Sequence, residues 1–414
     1  MSQPNLGRIP LRIQGLLIAF FLSAFAKIGQ ITIIGKQVYD MTGRELDLGL
    51  IGLAEFFPAM LVAPIAGAIA DRVDRRLMFA LALSGEATVS ALLFWYATTD
   101  PTSVLPIFWL VFLFGICQGF TAPSGRALPI DMSPTALIPR VVALEHVAFQ
   151  AGLIAGPVAF GFLFVAGEPI PYLAAALGLA AAVLILLAIP SAPVRRLETV
   201  GVRQAVVDAV LGMRFIRRTP VLFGAISLDL FAVLFGGAVA LLPAIAEDRL
   251  GVGAVGLGWL RAAVGIGAGI VAVALSVRPL QRHIGRTLLT VVAIFGIGTI
   301  VLGLSRNYAV AFIAIMVLAG ADAVSMFIRF TIVPLATPEN MRGRVLALEN
   351  VFIGASNELG AFESGVTAAL LGLTGAIVFG GIGTLAVVGL WAVFFPALRD
   401  VDSFDEVTAA TQAK

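Results

Sequence analysis

Twelve apolar runs, each close to the length that a lipid bilayer requires, govern what this chain can fold into. A helix rises 1.5 Å per residue, so about 20 apolar residues cross the hydrocarbon core. The runs lie near residues 13–39, 48–70, 77–97, 104–122, 137–166, 170–189, 220–246, 255–277, 287–304, 308–334, 342–372 and 375–397. The sequence therefore predicts an all-α membrane protein with twelve transmembrane helices.

The composition is typical of a chain solvated by lipid, and it excludes several kinds of chemical site. Of 414 residues, 59% are hydrophobic and 13% are charged. Two histidines and a single cysteine, Cys117, offer no histidine metal site and no disulfide within the chain. The pattern Gly251-x-Gly253-x-x-Gly256 precedes an apolar run instead of following a strand, so it is not a nucleotide site. We expect no enzyme activity, no cofactor, no metal and no nucleic-acid partner.

The basic residues of the loops predict the orientation. With a cytoplasmic N-terminus, 20 of the 27 Lys and Arg residues fall on the cytoplasmic side, 3 on the other side and 4 inside predicted spans. Both termini are therefore expected in the cytoplasm. Arg8, Arg12 and the segment Ala24-Phe25-Ala26 imitate a cleavable signal peptide. Because the apolar character continues to Val38, retention of this segment as the first span is favoured.

An internal repeat predicts how the spans are organised. A shift of 204 residues lays Pro134, Arg140, Val141, Ala143, Leu144, Glu145, Val147, Gly156 and Gly161 onto Pro338, Arg344, Val345, Ala347, Leu348, Glu349, Val351, Gly360 and Gly365. Both copies begin on the same side with an even number of spans between them. This arrangement predicts two six-helix pseudo-symmetric parallel repeats, related by an axis along the membrane normal.

The repeat also predicts the domain boundaries. The N-terminal bundle covers residues 1–189, a cytoplasmic linker covers 190–219, the C-terminal bundle covers 220–399 and a cytoplasmic tail covers 400–414. Within the linker, Val202 to Arg218 places apolar residues among charged ones, which predicts an amphipathic helix at the membrane interface. The apolar residues are Val206, Val210, Met213 and Phe215, and the charged residues are Arg203, Asp208, Arg214, Arg217 and Arg218. A helix that binds a partner protein is the alternative.

Two motifs resemble elements of a known superfamily. Residues 67–76 read Gly-Ala-Ile-Ala-Asp-Arg-Val-Asp-Arg-Arg, and the fifth span contains Gly152-x-x-x-Gly156-Pro157-x-x-x-Gly161. The first resembles the G-x-x-x-D-R-x-x-R-R hinge of major facilitator transporters, with Asp74 where many members have glycine. The second resembles the glycine-proline element of their drug–proton antiporters; small residues allow close helix packing and proline bends a helix. The resemblance implies the major facilitator fold and secondary transport.

Two further segments, 37–43 and 214–222, together with residues 71–76 of the hinge, resemble the branch that contains bacterial exporters of enterobactin, macrolides and tetracyclines. This resemblance spans most of the chain and implies proton-coupled export. The chain departs from the pattern at Gln30, where relatives often have an acid, and at Gly115, the arginine position of a fourth-span R-x-x-Q-G element. Since that arginine is linked to proton movement in antiporters, an importer or a uniporter stays open as an alternative.

Ionisable residues inside the spans are the candidate mechanism, because each costs about 2.5–3.5 kcal/mol near the bilayer centre and normally faces a cavity or a partner. The predicted substrate and proton cavity contains Lys27, Glu55, Glu86, Asp229, Arg261, Asp322, Arg329, Glu358 and Glu363. Lys27 with Asp229, and Glu55 with Arg261, lie at corresponding depths. Each pair is either a salt bridge between the halves or a place where substrate or a proton competes for the bond. Asp322 and Arg329 share one face of the tenth span and are placed to pair. Equally, Asp322 corresponds to Gln118 in the repeat, which places it in the central region.

A cytoplasmic gate is predicted from the hinge and from the repeated arginines and acids. Its residues are Gly67, Asp71, Arg72, Asp74, Arg75, Arg76, Arg140, Glu145, Arg344 and Glu349. Glu145 and Glu349 each follow an arginine by five residues, and ion pairs with Arg72 or Arg75 are favoured over proton carriage. Helix packing and a bend are predicted at Gly152, Gly156, Pro157 and Gly161.

The function that fits these features is export of a small organic molecule, siderophore-like or an amphiphilic drug, by proton antiport in a bacterial inner membrane. The expected partners are the substrate, protons and the lipid bilayer, and a monomer is expected. A membrane sensor or scaffold that does not transport is the remaining alternative. The many buried charges argue against it, because a protein that only binds has no need of them.

Overall fold

The computed structural model describes residues 9–70, 72–190 and 202–407, and no strand occurs among them. The helices are α1 (Leu11–Thr42), α2 (Glu45–Ala70), α3 (Arg75–Ala97), α4 (Leu105–Met132), α5 (Ile138–Ala166), α6 (Ile170–Ala188), α7 (Val202–Arg218), α8 (Pro220–Phe235), α9 (Leu242–Ala244), α10 (Gly253–Val277), α11 (Ile284–Leu304), α12 (Tyr308–Leu335), α13 (Glu339–Phe394) and α14 (Pro396–Arg399). Short 3-10 turns cover Thr135–Leu137 and Gly237–Leu241, and a π-helical turn covers Ile245–Arg249.

Eleven helical stretches of the described residues are long and apolar enough to cross a membrane. The longest, α13, contains Gly372 with φ +73° and ψ 164°, a backbone conformation that favours glycine and interrupts the helix. The two resulting segments, 339–371 and 373–394, each exceed the length of about 20 residues that a span needs. The all-α membrane fold with twelve spans is therefore confirmed.

Local sequence explains where several helices begin and end. Asp74 caps α3, since its carboxylate accepts hydrogen bonds from the backbone N–H groups of Arg76 and Leu77. The side chain of Asn307 caps α12 in the same way. α1 ends at Thr42, and the next residue, Gly43, has φ +57°. The backbone N–H of Gly43 donates a hydrogen bond to the carbonyl of Tyr39 at 2.7 Å.

Two spans differ from the sequence prediction. α4 continues to Met132, beyond the predicted end near residue 122, because Pro123 and Pro129 are accommodated inside the helix. The seventh span is regular only to Phe235 and continues to Arg249 through 3-10, α and π turns. A Cβ at Gly237 would lie 2.2 Å from the carbonyl oxygen of Gly360, so this irregular segment approaches the backbone of α13 closely.

The contacts group the chain into two units. Unit 1 contains the described parts of Met1–Gly43 and Leu53–Thr199, together with Val252–Ala262. Unit 2 contains Arg44–Gly52 and the described parts of Val200–Gly251 and Ala263–Lys414. The first turns of α2 therefore pack within unit 2, and the first turns of α10 pack within unit 1. The domain boundaries drawn from the sequence stay a prediction.

Unit 1 is held together by close packing of α1 and α5. A Cβ at Gly152 would lie 2.8 Å from the backbone nitrogen of Phe25, and one at Gly156 would lie 2.5 Å from the Phe25 carbonyl oxygen. Further along α5, a Cβ at Gly161 would lie 2.5 Å from the carbonyl oxygen of Ala254. These glycines therefore permit the backbone contacts predicted for them. The bend at Pro157 stays a prediction.

Unit 2 has an apolar core to which the linker helix contributes. α7 has the predicted bounds, and its Ile216 is buried in a cluster with Leu222, Ile284 and Val345. The carboxylate of Asp208 on α7 lies 2.9 Å from the guanidinium of Arg344 on α13. α7 is thus fixed to α13, while its placement at a membrane interface stays a prediction.

Candidate functional site

A buried ion pair joins three helices of unit 1. The Nζ atom of Lys27 on α1 lies 2.8 Å from Oε1 of Glu86 on α3. The hydroxyl of Thr121 on α4 donates to the same oxygen at 3.1 Å and accepts a hydrogen bond from Lys27 at 3.2 Å. The side chain of Glu86 is 0% exposed and that of Lys27 is 17% exposed. Burial of both charges is therefore offset by direct contact between them.

Glu55 on α2 lies beside this ion pair. Its carboxylate interacts with the side chain of Gln118 and lies within electrostatic reach of Lys27, Glu86 and Arg261. Arg261 belongs to the part of α10 that packs with unit 1. The predicted pairing of Glu55 with Arg261 stays a prediction.

A second buried ion pair lies in unit 2. The guanidinium of Arg329 on α12 lies 2.7 Å from Oδ2 of Asp229 on α8, with side chains 3% and 7% exposed. Asp322 on α12 and Glu349 on α13 lie within electrostatic reach of both residues. Arg329 therefore pairs with Asp229 and not with Asp322, its predicted neighbour on the same helix. Lys27 and Asp229, which were considered as a pair, each have a partner inside their own unit.

A small cavity adjoins this second ion pair. Its volume is about 10 Å³, which is room for about one water molecule. Its walls are Asp229, Ala232, Val233, Val291, Val292, Phe295, Ala321, Asp322 and Ser325. Two carboxyl groups and one hydroxyl therefore share a space that is otherwise apolar.

The other two predicted cavity acids lie further along α13. A Cβ at Gly52, in the first turns of α2, would lie 2.6 Å from Oε2 of Glu358. Oε1 of Glu363 accepts a hydrogen bond from the hydroxyl of Thr367 at 2.7 Å. Neither acid lines the cavity beside Asp229. Their assignment to a substrate cavity stays a prediction.

The hinge residues form contacts of their own. The guanidinium of Arg75 lies 2.8 Å from Oδ2 of Asp131, at the end of α4, and that of Arg76 donates to the carbonyl of Ile189. Asp131 was missed because the fourth span was expected to end before it. Gly67 has open space where a Cβ would stand, Arg72 is exposed, and Asp71 lies outside the described residues.

The repeated arginines and acids do not form the ion pairs expected of them in the described residues. Arg75 pairs with Asp131, and Arg344 pairs with Asp208 of α7. Glu349 is buried near Arg329. Arg140 is exposed and Glu145 is half-buried on α5. A gate built from these residues stays a prediction.

The second half of the chain has an acid at the corresponding hinge, and it comes from the tail. Asp402 accepts hydrogen bonds from Arg282 Nε and from the backbone N–H of His283, both at 3.1 Å, at the start of α11. The Nδ1 atom of His283 lies 2.8 Å from the same carboxylate. The hinge segment itself, Gln281-Arg282-His283-Ile284-Gly285-Arg286, contains no aspartate. Asp402 thus supplies a carboxylate near the start of α11, as Asp74 does at the start of α3.

We expect Asp402→Asn to lower the melting temperature at neutral pH and to have a smaller effect in acid. The hydrogen bond from Arg282, and then the one from His283 N–H, hold the pKa of Asp402 below its ordinary value. A lowered folded-state pKa contributes stability that is fully present above the unfolded pKa of about 3.9, and that is lost as the pH falls through the folded value. Tryptophan fluorescence during heating, from about pH 7 to about pH 3, measures the difference. A difference as large in acid as at neutral pH would contradict this assignment.

The spanning helices and the internal repeat define a multi-pass membrane protein, and solved structures of transporters share its fold. A bacterial homologue of the human lysosomal transporter Spinster, solved in an inward-facing and unoccupied conformation, has a TM-score of 0.69 at 14% identity, covering 100% of this chain and 99% of that chain. The human organic anion transporter MFSD10 has a TM-score of 0.66 at 18% identity, covering 94% and 100%. At these identities the likeness shows the fold alone.

The family follows from the sequence. A family model described as transmembrane secretion effector matches residues 9–413, and the chain belongs to this family. The multidrug efflux pump Tap of Mycolicibacterium fortuitum is 28% identical, over 94% of this chain and 97% of its own. The enterobactin exporter EntS of Escherichia coli O127:H6 is 28% identical, over 90% and 92%. The branch inferred from the motifs is therefore confirmed.

Proposed function

We propose that this protein exports a small organic molecule, siderophore-like or an amphiphilic drug, in exchange for protons. The relatives that cover nearly the whole chain bear the names of an enterobactin exporter and a multidrug efflux pump, which supports export and these two substrate classes. Because a shared fold alone does not define a function, the coupling must be argued from the buried site.

The observation that carries proton coupling is the presence of titratable acids beside a buried cation in each unit. Glu55 and Glu86 lie near Lys27, and Asp322 and Glu349 lie near Arg329. Charges inside spanning helices are costly and mark ion or proton pathways. A sensor or scaffold would gain nothing from keeping them.

The proposed membrane is the bacterial inner membrane, with both termini in the cytoplasm. The excess of basic residues in one set of loops supports this orientation. In it, the hinge with Asp74 and Arg75, the linker helix α7 and the tail with Asp402 all face the cytoplasm. Protons then enter the cytoplasm as substrate leaves it.

Everted inner-membrane vesicles test the proposal directly. Vesicles that contain the protein and are energised with a proton gradient are offered enterobactin, tetracycline and erythromycin separately. We expect at least one compound to accumulate well above the level in vesicles that lack the protein. A protonophore is expected to return the accumulation to that control level, because it removes the driving gradient.

Other results of the vesicle experiment would distinguish proton-coupled export from uptake and uniport. Accumulation that survives the protonophore would contradict proton coupling. No accumulation of any compound, in vesicles shown to be energised, would contradict export of these classes and favour uptake or uniport. Uniport has one specific feature in its favour, which is that Gly115 stands where antiporters have an arginine.

A further inference from the structure

The buried charged group of unit 2 contains more acids than bases. Asp229 on α8, Asp322 and Arg329 on α12, and Glu349 on α13 interact with one another. Three carboxyl groups therefore share one guanidinium. In unit 1, by contrast, Glu55 and Glu86 are matched by two cations, Lys27 and Arg261.

Among the described residues, one of the three acids has an ionic partner. Arg329 contacts Asp229 at 2.7 Å, whereas Asp322 and Glu349 form no ion pair and no hydrogen bond in the described part of the chain. Glu349 is 3% exposed, and its buried Oε1 atom lacks a partner. An unpaired carboxylate in an apolar interior carries a large desolvation cost, and such a group is neutralised instead by binding a proton.

The cavity favours Asp322 over Glu349 as the site that binds a proton. Asp322 lines the cavity, together with Ser325 one turn further along α12, whereas Glu349 does not line it. Ser325 is 3% exposed, and its hydroxyl has no hydrogen-bond partner in the described residues. A cavity with room for about one water, lined by a carboxyl and an unpartnered hydroxyl, suits the delivery of a proton.

We propose that Asp322 is the residue that binds the transported proton, and that Arg329 is shared between Asp229 and Asp322 according to whether that proton is bound. This inference rests on the proposed function, since it assigns a site to the exchange of protons. When the O–H bond of the Asp322 carboxyl breaks, the proton passes to water and a carboxylate remains. That carboxylate competes with Asp229 for Arg329, whose buried Nε atom has no acceptor among the described residues.

The positions of Asp322 and Glu349 along their helices indicate the direction in which the proton would move. Asp322 lies 13 residues before the end of α12 at Leu335, or about 20 Å at the rise of a helix. Glu349 lies 10 residues after the start of α13, or about 15 Å from the same end of the helices. In the proposed orientation, Glu349 is thus the next carboxyl towards the cytoplasm.

Asp322→Asn separates coupling from transport. In everted vesicles, using whichever of enterobactin, tetracycline or erythromycin the unaltered protein accumulates, we expect this variant to lose gradient-driven accumulation completely. Exchange of labelled for unlabelled compound across the membrane should persist, because it requires no net proton movement. Asp322→Glu retains a titratable carboxyl and should retain accumulation. Asp100→Asn, which removes an exposed loop carboxylate, is the matched control.

Two outcomes would overturn the assignment. If Asp322→Asn accumulates the compound as well as the unaltered protein does, Asp322 does not carry the proton. If Glu349→Gln abolishes accumulation and Asp322→Asn does not, the proton belongs to Glu349. Failure of the unaltered protein to show protonophore-sensitive accumulation is a different result, because it contradicts the proposed function before any variant is compared.

Infrared titration tests the site without a substrate. The purified protein should show the carbonyl band of a protonated carboxyl group that disappears as the pH is raised. Asp322→Asn should reduce this band, while Asp100→Asn should leave it unchanged. A band that is unaltered in correctly folded Asp322→Asn would contradict the proposal whatever the transport assay shows.

Discussion

Lys27→Met is expected to destabilise the protein by about 3–5 kcal/mol, because it leaves the carboxylate of Glu86 buried without its cation. Glu86 is 0% exposed and retains only the Thr121 hydroxyl as a partner in the described residues. Glu86→Gln should cost less, since the Lys27 side chain is 17% exposed and can keep some hydration. The double variant should be more stable than Lys27→Met alone, because it removes both charges together.

Thermal unfolding, followed with a thiol-reactive dye, measures the stability of the unaltered protein, the two single variants and the double variant. Together these four stabilities form a double-mutant cycle that gives the coupling energy between Lys27 and Glu86. Cys117 is the chain's one cysteine, so labelling reports a single position in α4. The control is the same cycle on Arg399 and Asp400, whose atoms also lie 2.8 Å apart but whose side chains are 42% and 52% exposed. The coupling energy between Arg399 and Asp400 should be much smaller, because exposed ion pairs contribute little to stability. Equal coupling in the two cycles would show that Lys27 and Glu86 are solvated in the membrane protein.

Gly115→Arg, which restores the residue that antiporters have at this position, is expected to abolish folding instead of improving proton coupling. A Cβ at Gly115 would lie 2.0 Å from the carbonyl oxygen of Glu55, so α2 occupies the space of any side chain. Even Gly115→Ala should cost about 1–3 kcal/mol or more, because it forces α2 and α4 apart. Yield of monodisperse protein and the melting temperature measure both effects.

Gly389→Ala provides the comparison for Gly115→Ala. Gly389 lies in α13 with open space where a Cβ would stand, and alanine favours a helix over glycine. Its melting temperature should be unchanged or slightly higher. If Gly115→Arg instead folds and gains gradient-driven transport, the close approach of α2 and α4 is not required, and the family's proton route is available to this chain.

The sequence was sufficient for the number of spans and for most of their bounds. Span length depends on bilayer thickness and on apolar runs, which are readable from one chain. α4 was the main exception, because it continues through Pro123 and Pro129 to Met132, beyond the predicted end near residue 122. The hinge acid Asp131 was missed for the same reason.

The partners of the buried charges were harder to predict. Lys27, Glu86, Asp229 and Arg329 were all recognised as functional candidates, but the pairs Lys27–Glu86 and Asp229–Arg329 were not. Depth along a helix follows from sequence position, whereas pairing depends on how each helix is rotated against its neighbours. Close approaches at single glycines, such as Gly115 against α2, decide that rotation and leave no periodic signal in the sequence.

The contact of Asp402 with Arg282 and His283 bears on how duplicated proteins diverge. The first half has its acid inside the loop, whereas the acid at the corresponding helix start of the second half comes from a segment more than a hundred residues further along the chain. A search that demands the complete hinge motif in both halves would therefore overlook chains built like this one. Because Asp402 contacts the start of α11, shortening the chain before residue 407 to attach an affinity tag is expected to disturb that helix start. A tag should therefore be attached after residue 407.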